Sequence, residues 1–168
     1  PRRSPSGNAI IGGPHASLYP EWVLAENEAW DVIVHGEGEE TSVELIDRLE
    51  RGLPLDGLTG AMWRGAGGEP VSGGDRIAEM HLDDAPLPAY DLLDLRRYSA
   101  PPMRVRQTPA VYMELFRGCA YAKCTYCTSG GGLKNRYRRH SPAVAAEKIL
   151  QIHMKYGARE IAFVDDDF

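Results

Sequence analysis

The stretch "AVYMELFRGCAYAKCTYCTSGGG", residues 110–132, runs a β-branched and aromatic segment straight into a loop that holds every cysteine of the chain. These are Cys119, Cys124 and Cys127, spaced Cys-x4-Cys-x2-Cys. A disulfide takes two thiols, and a structural zinc site takes four protein ligands. Free core cysteines rarely gather so tightly in a loop rich in glycine and lysine. The loop therefore reads as a metal site with three sulfur donors.

Several metals suit three thiols. A plant-type two-iron ferredoxin loop has this spacing but needs a fourth cysteine downstream, and such a cluster would serve as a non-catalytic electron carrier. A three-Cys, one-His zinc site could recruit His140 or His153, which would make an interaction domain. A cubane iron–sulfur cluster held by three thiolates leaves one iron without a protein ligand. An open coordination position lets a metal bind a substrate or cofactor directly.

Working outward, "KNRYRRH" reads as a basic, solvated loop, with Arg136, Arg138 and Arg139 able to offset negative charge. "SPAVAAEKILQIHMKYG" is the clearest helix. Ser141 suits the N-cap, Pro142 the first turn and Gly157 the C-terminal stop. Ala145, Ile149, Ile152 and Tyr156 fall on one face. "EIAFVDDDF" is a buried strand ending in Asp165, Asp166 and Asp167. Strand, loop, helix, strand makes one βαβ unit, with its chemistry expected at the C-terminal end of the strands. Glu114 either points into a barrel or pairs with Arg117 or Lys123.

The N-terminal third repeats the α/β pattern. "AIIGGP" (residues 9–14) predicts a short buried strand running into a glycine turn. "DVIVHGEGEE" predicts a second strand, Val32 to His35, followed by another glycine turn. "YPEWVLAENE" places Pro20 at a helix start. "TSVELIDRLERG" predicts an amphipathic helix with Val43, Ile46 and Leu49 on its buried face, Leu45 beside them and Gly52 as the stop. Paired glycine turns at strand C-termini let backbone approach a large flat or phosphate-bearing ligand. Between the two halves, "AMWRGAGGEPVS" predicts a β-hairpin. "HLDDAPLPAYDLLDLRRYSAPP" reads as an ordered connector.

Composition bounds the rest. The chain has 168 residues, 43% of them hydrophobic, enough to bury a core. Its 19 Lys and Arg against 24 Asp and Glu give a net charge of −5, which argues against a general nucleic-acid surface. No apolar run approaches the roughly 18 residues of a membrane span. Three clustered cysteines fit a reducing compartment, so the expectation is a soluble cytoplasmic protein with neither nucleic acid nor membrane as partner. Both ends look cut, which predicts a piece of a longer protein.

"RGCAYAKCTYC" resembles the cluster loop of radical S-adenosylmethionine (radical SAM) enzymes. The usual spacing there is Cys-x3-Cys-x2-Cys; here the first gap holds one extra residue. "IIGGPHASLYPEWVL" and "DVIVHGEGEETSVELI" resemble the last third of the cobalamin-binding domain that precedes the barrel in one subclass. "LDDAPLPAYDLLDL" resembles that subclass's connector, and "RYRRHSPAVAAEKI" with "GAREIAFVDDDF" resembles the barrel's first helix and second strand. The resemblance covers residues 9–168. It implies an α/β chain in three parts: the C-terminal part of a Rossmann-like (flavodoxin-like) cobalamin-binding domain over 1–56, a hairpin connector over 57–100, and the first βαβ unit of a radical SAM (β/α) barrel over 101–168.

The resemblance also implies roles. Cys119, Cys124 and Cys127 would hold a four-iron four-sulfur cluster. Tyr126, Asp165 and Asp166 would contact S-adenosyl-L-methionine. Gly12, Gly13, Pro14, Gly36, Glu37, Gly38 and Glu39 would lie against cobalamin. Reductive cleavage of S-adenosylmethionine would start radical chemistry, with methylation of an unactivated carbon the leading outcome and ring contraction, cyclisation or other rearrangement the alternatives. The reductant would be a flavodoxin or ferredoxin, and the substrate a small molecule or peptide. The Asp-x-His-x-x-Gly segment by which some cobalamin domains ligate cobalt does not occur in this stretch.

Overall fold

The computed structural model describes residues 7–77, 80–98, 106–128 and 137–165. The chain divides into two compact units, Pro1–Glu79 and Met80–Phe168.

The first unit is a mixed sheet of order β1-β2-β3-β4, formed by β1 (Ile10–Ile11), β2 (Val32–Val34), β3 (Ala61–Arg64) and β4 (Pro70–Ser72). β1 and β2 run parallel, with Ile10 opposite Val32, while β2–β3 and β3–β4 are antiparallel. All three residues of β2 are buried, as a strand covered on both faces requires. Alternation then sends its side chains to two cores. Ile33 packs with Ala16, Val23, Leu24 and Met62, beneath α1 (Pro14–Leu18) and α2 (Pro20–Glu26). Val32 and Val34 pack on the other face with Leu45, Leu58 and Ala61, beneath α3 (Glu39–Glu50).

The expected buried face of α3 is corrected. Val43 is 71% exposed and Ile46 50% exposed, whereas Thr41 and Leu45 are fully buried. The reason is a polar residue turned inward: Thr41 Oγ1 donates to the Thr59 carbonyl at 3.2 Å. That bond fixes the helix rotation, and at about 100° per residue it carries Leu45 in and Val43 out. The expected buried strand of residues 9–14 is also shorter. Only Ile10 and Ile11 are strand, Ile10 is exposed, and Pro14 already opens α1.

The hairpin forms as expected, and it continues this sheet. Gly73 makes it possible: a Cβ there would lie 1.9 Å from the Leu58 carbonyl oxygen. Arg76 reinforces the same region, its Nε donating to the Thr59 carbonyl and its guanidinium pairing with Glu44.

The second unit holds β5 (Ala110–Met113) parallel to β8 (Glu160–Phe163), joined through α4 (Pro142–Tyr156), and a small antiparallel pair of β6 (Phe116–Arg117) with β7 (Arg138–Arg139). Ser141 caps α4, its Oγ accepting from the Val144 amide at 3.4 Å, and Gly157 ends the helix in the left-handed region (φ 66°). Ile152 is the buried centre of the expected face, with Ile149 and Tyr156 half-buried beside it. The connector is ordered by three 3-10 turns, Leu82–Asp84, Tyr90–Leu92 and Leu95–Arg97. Tyr90 enters the core with Val111, Met113, Ile152 and Ala158, and its hydroxyl donates to the Tyr112 carbonyl at 2.5 Å.

Candidate functional site

The cysteine loop leaves the C-terminal end of β5. Register puts Val111 and Met113 on the face that packs against α4, and Tyr112, paired with Ala162, on the opposite open face. The ladder runs one step further, from the Val164 amide to the Met113 carbonyl at 3.1 Å, and the chain then bends. Leu115 and Phe116 donate their amides to Asp165 Oδ1 at 2.7 and 2.8 Å. Glu114 pairs with Arg117, Nε to Oε1 at 2.7 Å, which decides between the two roles open to it in the sequence. After β6, Gly118 takes φ 77°, and Cys119 follows.

Within the loop, the Cys127 amide donates to the Cys124 carbonyl at 3.2 Å, closing the shorter gap as a turn. The longer gap contains Ala122 at φ 45°, the one described non-glycine residue in the left-handed region. A left-handed residue re-aims the chain locally and so takes up the extra position of the first gap. All three cysteines are free thiols of intermediate exposure. Among the described residues, no three His, Cys, Asp or Glu side chains are drawn into a metal-binding group. The donor set fits a cluster by its chemistry: three unpaired thiols in one accessible loop whose base is fixed by hydrogen bonds. Tyr126 is 87% exposed. Asp166 and Asp167, the "SGGG" run and Arg136 lie outside the described residues.

Neither histidine considered for zinc is directed to the thiols. His153 Nδ1 lies 2.9 Å from the Ala158 carbonyl. His140 is buried, with Nδ1 3.4 Å from Asp83 Oδ1. The basic loop expected to be solvated is exposed at Tyr137 and Arg139 and is corrected only at Arg138 and His140, which are half-buried and buried. Arg138 and Arg139 form β7, Arg138 donates to the Met80 carbonyl at 2.9 Å, and burial lowers its pKa. His140 is held below its ordinary pKa by burial, with Lys148 adding to the effect. The Ser141 amide, the strongest influence, holds Asp83 below the usual carboxylate range.

In the first unit, the two glycine turns meet over Val34. A Cβ on Gly12 would lie 3.1 Å from the Val34 carbonyl, and one on Gly38 3.3 Å from Val34 Cγ1. Gly13 (φ 94°) and Gly36 (φ 75°) use conformations that glycine favours. Ser17 of α1 ties the turns together, its Oγ accepting from the Gly36 amide at 3.0 Å. Pro14 sits in the first turn of α1, and Glu39 in that of α3, where a carboxylate is favourable. Gly12, Gly13, Pro14, Gly36, Glu37, Gly38 and Glu39 thus cluster at the C-terminal ends of the parallel pair β1–β2. His35, just after β2, has its Nε2 buried and making no hydrogen bond among the described residues.

Sequence reasoning missed Asp83 and Lys148. Lys148 is buried on α4 and donates to the Leu82 and Ala85 carbonyls at 3.2 and 2.6 Å. Its only signal was a lysine at i−4 from Ile152, on the face given to the core.

No family model matches the chain. Among curated proteins, it is 34% identical over 159 residues to an uncharacterized methyltransferase of Pyrococcus horikoshii, covering 95% of this chain and 33% of that one. Among solved structures, it matches the cobalamin-dependent S-adenosylmethionine radical enzyme OxsB, bound to aqua-cobalamin and S-adenosylmethionine. The TM-score is 0.69 at 24% identity, over 95% of this chain and 21% of that one. It also matches the radical S-adenosylmethionine methyltransferase TsrM of Kitasatospora setae, bound to cobalamin and a [4Fe-4S] cluster, with TM-score 0.61 at 20% identity, over 94% of this chain and 30% of that one. The structural likenesses show the fold. The chain spans about a third of the length of the Pyrococcus relative. Over nearly its whole length the chain is thus similar to segments of a methyltransferase and of cobalamin-dependent S-adenosylmethionine radical enzymes.

Proposed function

We propose that this chain is the central segment of a cobalamin-dependent radical SAM enzyme that methylates an unactivated carbon. In this reading residues 1–56 are the C-terminal part of the cobalamin-binding domain, 57–100 the hairpin connector and 101–168 the start of the barrel. The observation that carries it is the cysteine loop: three free thiols, all the cysteines of this sequence, in the loop that follows the C-terminal end of the first strand of a parallel pair.

Cys119, Cys124 and Cys127 would hold the four-iron cluster and leave one iron for S-adenosylmethionine. When bound, that cluster would supply the electron for reductive cleavage of the cofactor, and cobalamin the methyl group. The chain's own residues orient and shield. Tyr126 stands exposed beside the third thiol, able to meet the nucleoside. Asp165 follows β8 at the same end of the strands, and Asp165 and Asp166 would meet S-adenosylmethionine. The glycine cradle over Val34, free of Cβ atoms, would let a flat cofactor or its phosphate tail approach the backbone amides. Cytoplasmic flavodoxin or ferredoxin would serve as reductant, and a small molecule or peptide as substrate. No helix among the described residues is long and apolar enough to cross a membrane.

The test is anaerobic reconstitution of the full-length protein with iron and sulfide. The reading expects about four irons per chain and an absorption band near ~400 nm that changes when S-adenosylmethionine is added. A cluster indifferent to that cofactor, or stoichiometric zinc without iron uptake, would contradict it.

A further inference from the structure

We propose that Asp165 is a positioning residue for the cysteine loop, acting through the backbone of residues 115 and 116. The inference rests on the proposed function only for the identity of what the loop binds.

The ladder between β5 and β8 ends at the Met113 carbonyl. Beyond it the chain must turn out of the sheet while partly buried, and each amide there needs an acceptor. Asp165 supplies one from the far strand. Its Oδ1 accepts from Leu115 at 2.7 Å and from Phe116 at 2.8 Å, across about fifty residues of sequence. Leu115 is also held on its other side, its carbonyl accepting from the His140 amide at 2.9 Å. Phe116 in turn pairs with Arg139 in the β6–β7 ladder. The bend is thus clamped from β8 and from β7, and it stands immediately before Gly118 and Cys119.

One oxygen does this work. Asp165 Oδ2 is buried and makes no hydrogen bond among the described residues. Among the described residues, the carboxylate's contact with the loop is therefore through Oδ1. Asparagine could reproduce that contact, because its amide oxygen accepts two hydrogen bonds. Alanine could not. A three-thiolate site depends on where its first ligand starts, since a small displacement of a supporting shell loosens a metal site. Asp165 fixes that starting point.

The test compares wild type, Asp165→Ala and Asp165→Asn in the full-length protein. Hydrogen exchange is measured on the iron-free protein at Leu115 and Phe116, with α4 as internal control. Iron uptake on anaerobic reconstitution is measured in parallel. In Asp165→Ala, exchange at the two amides should speed by roughly tenfold or more and iron uptake should fall, with α4 unchanged. In Asp165→Asn both readouts should stay near wild type. Should the alanine variant fail to fold, the asparagine variant decides alone. Amide protection and iron uptake move together in every folded variant under the proposal. A folded Asp165→Ala that keeps both, an Asp165→Asn that loses either, or any variant in which one readout falls without the other overturns it. Failure of the proposed function would show differently, as wild-type protein that takes up no iron or whose cluster ignores S-adenosylmethionine, whatever the exchange at residues 115 and 116.

Discussion

Asp83 Oδ1 accepts a hydrogen bond from the Ser141 backbone amide at 2.7 Å, so the first 3-10 turn of the connector is fastened to the start of α4. The same oxygen lies 3.4 Å from His140 Nδ1. An anionic group at a helix N-terminus is favourable in itself. This one also joins two segments far apart in sequence.

Acid should loosen that fastening. Burial, with Lys148 beside it, lowers the His140 pKa, against the opposing pull of Asp83 and Glu114. The unfolded chain therefore binds a proton that the folded chain resists. Stability rises with pH between the lowered value and the ordinary value of about 6.5. Asp83, whose pKa is also lowered, loses its contribution only at lower pH, as it protonates below about 3.9. Thermal unfolding followed from about pH 5 to pH 8 should show the first slope, and His140→Gln should flatten it. An unchanged slope in that variant would assign the effect elsewhere.

Lys148 is the second fastening. Its ammonium serves two connector carbonyls from a buried position on the helix. Lys148→Met keeps the volume but leaves both carbonyls without their donor, and should cost about 1–3 kcal/mol in chemical denaturation. A change within about 0.5 kcal/mol would mean that water replaces the amine without loss.

Gly73 allows the hairpin to close on the first unit. Its Cβ position is 1.9 Å from the Leu58 carbonyl, a backbone atom that cannot step aside as a side chain can. Gly73→Ala should destabilise that unit by about 1–3 kcal/mol, measured by denaturant unfolding with a probe in the unit such as Trp63 fluorescence. An unaltered midpoint would show that the hairpin shifts freely.

The sequence made some of this plain and concealed the rest. The cap, first-turn proline and glycine stop of α4 are local signals, and they mark its ends as observed. β2 declared itself as a short apolar run, because both of its faces are covered. The rotation of α3 did not, since Thr41 satisfies its hydroxyl on a distant carbonyl and so takes a core position. Apolar periodicity carries no trace of such a bond. For the same reason the connector looked irregular: Asp83 and Tyr90 find their partners beyond it, at Ser141 and Tyr112. In the site, the thiols and glycine turns were legible as residue types at fixed spacing. The clamp of Asp165 on residues 115 and 116 was not, because its partners are backbone amides that any residue would offer.

The most direct measurement is the iron content and S-adenosylmethionine response of the full-length protein after reconstitution, wild type beside Cys124→Ala. Two thiolates hold a cubane poorly, so the variant should lose the cluster and the cofactor-induced spectral change, while wild type shows both. A Cys124→Ala protein that still carried about four irons and cleaved the cofactor would contradict the assignment of Cys119, Cys124 and Cys127 as the ligands.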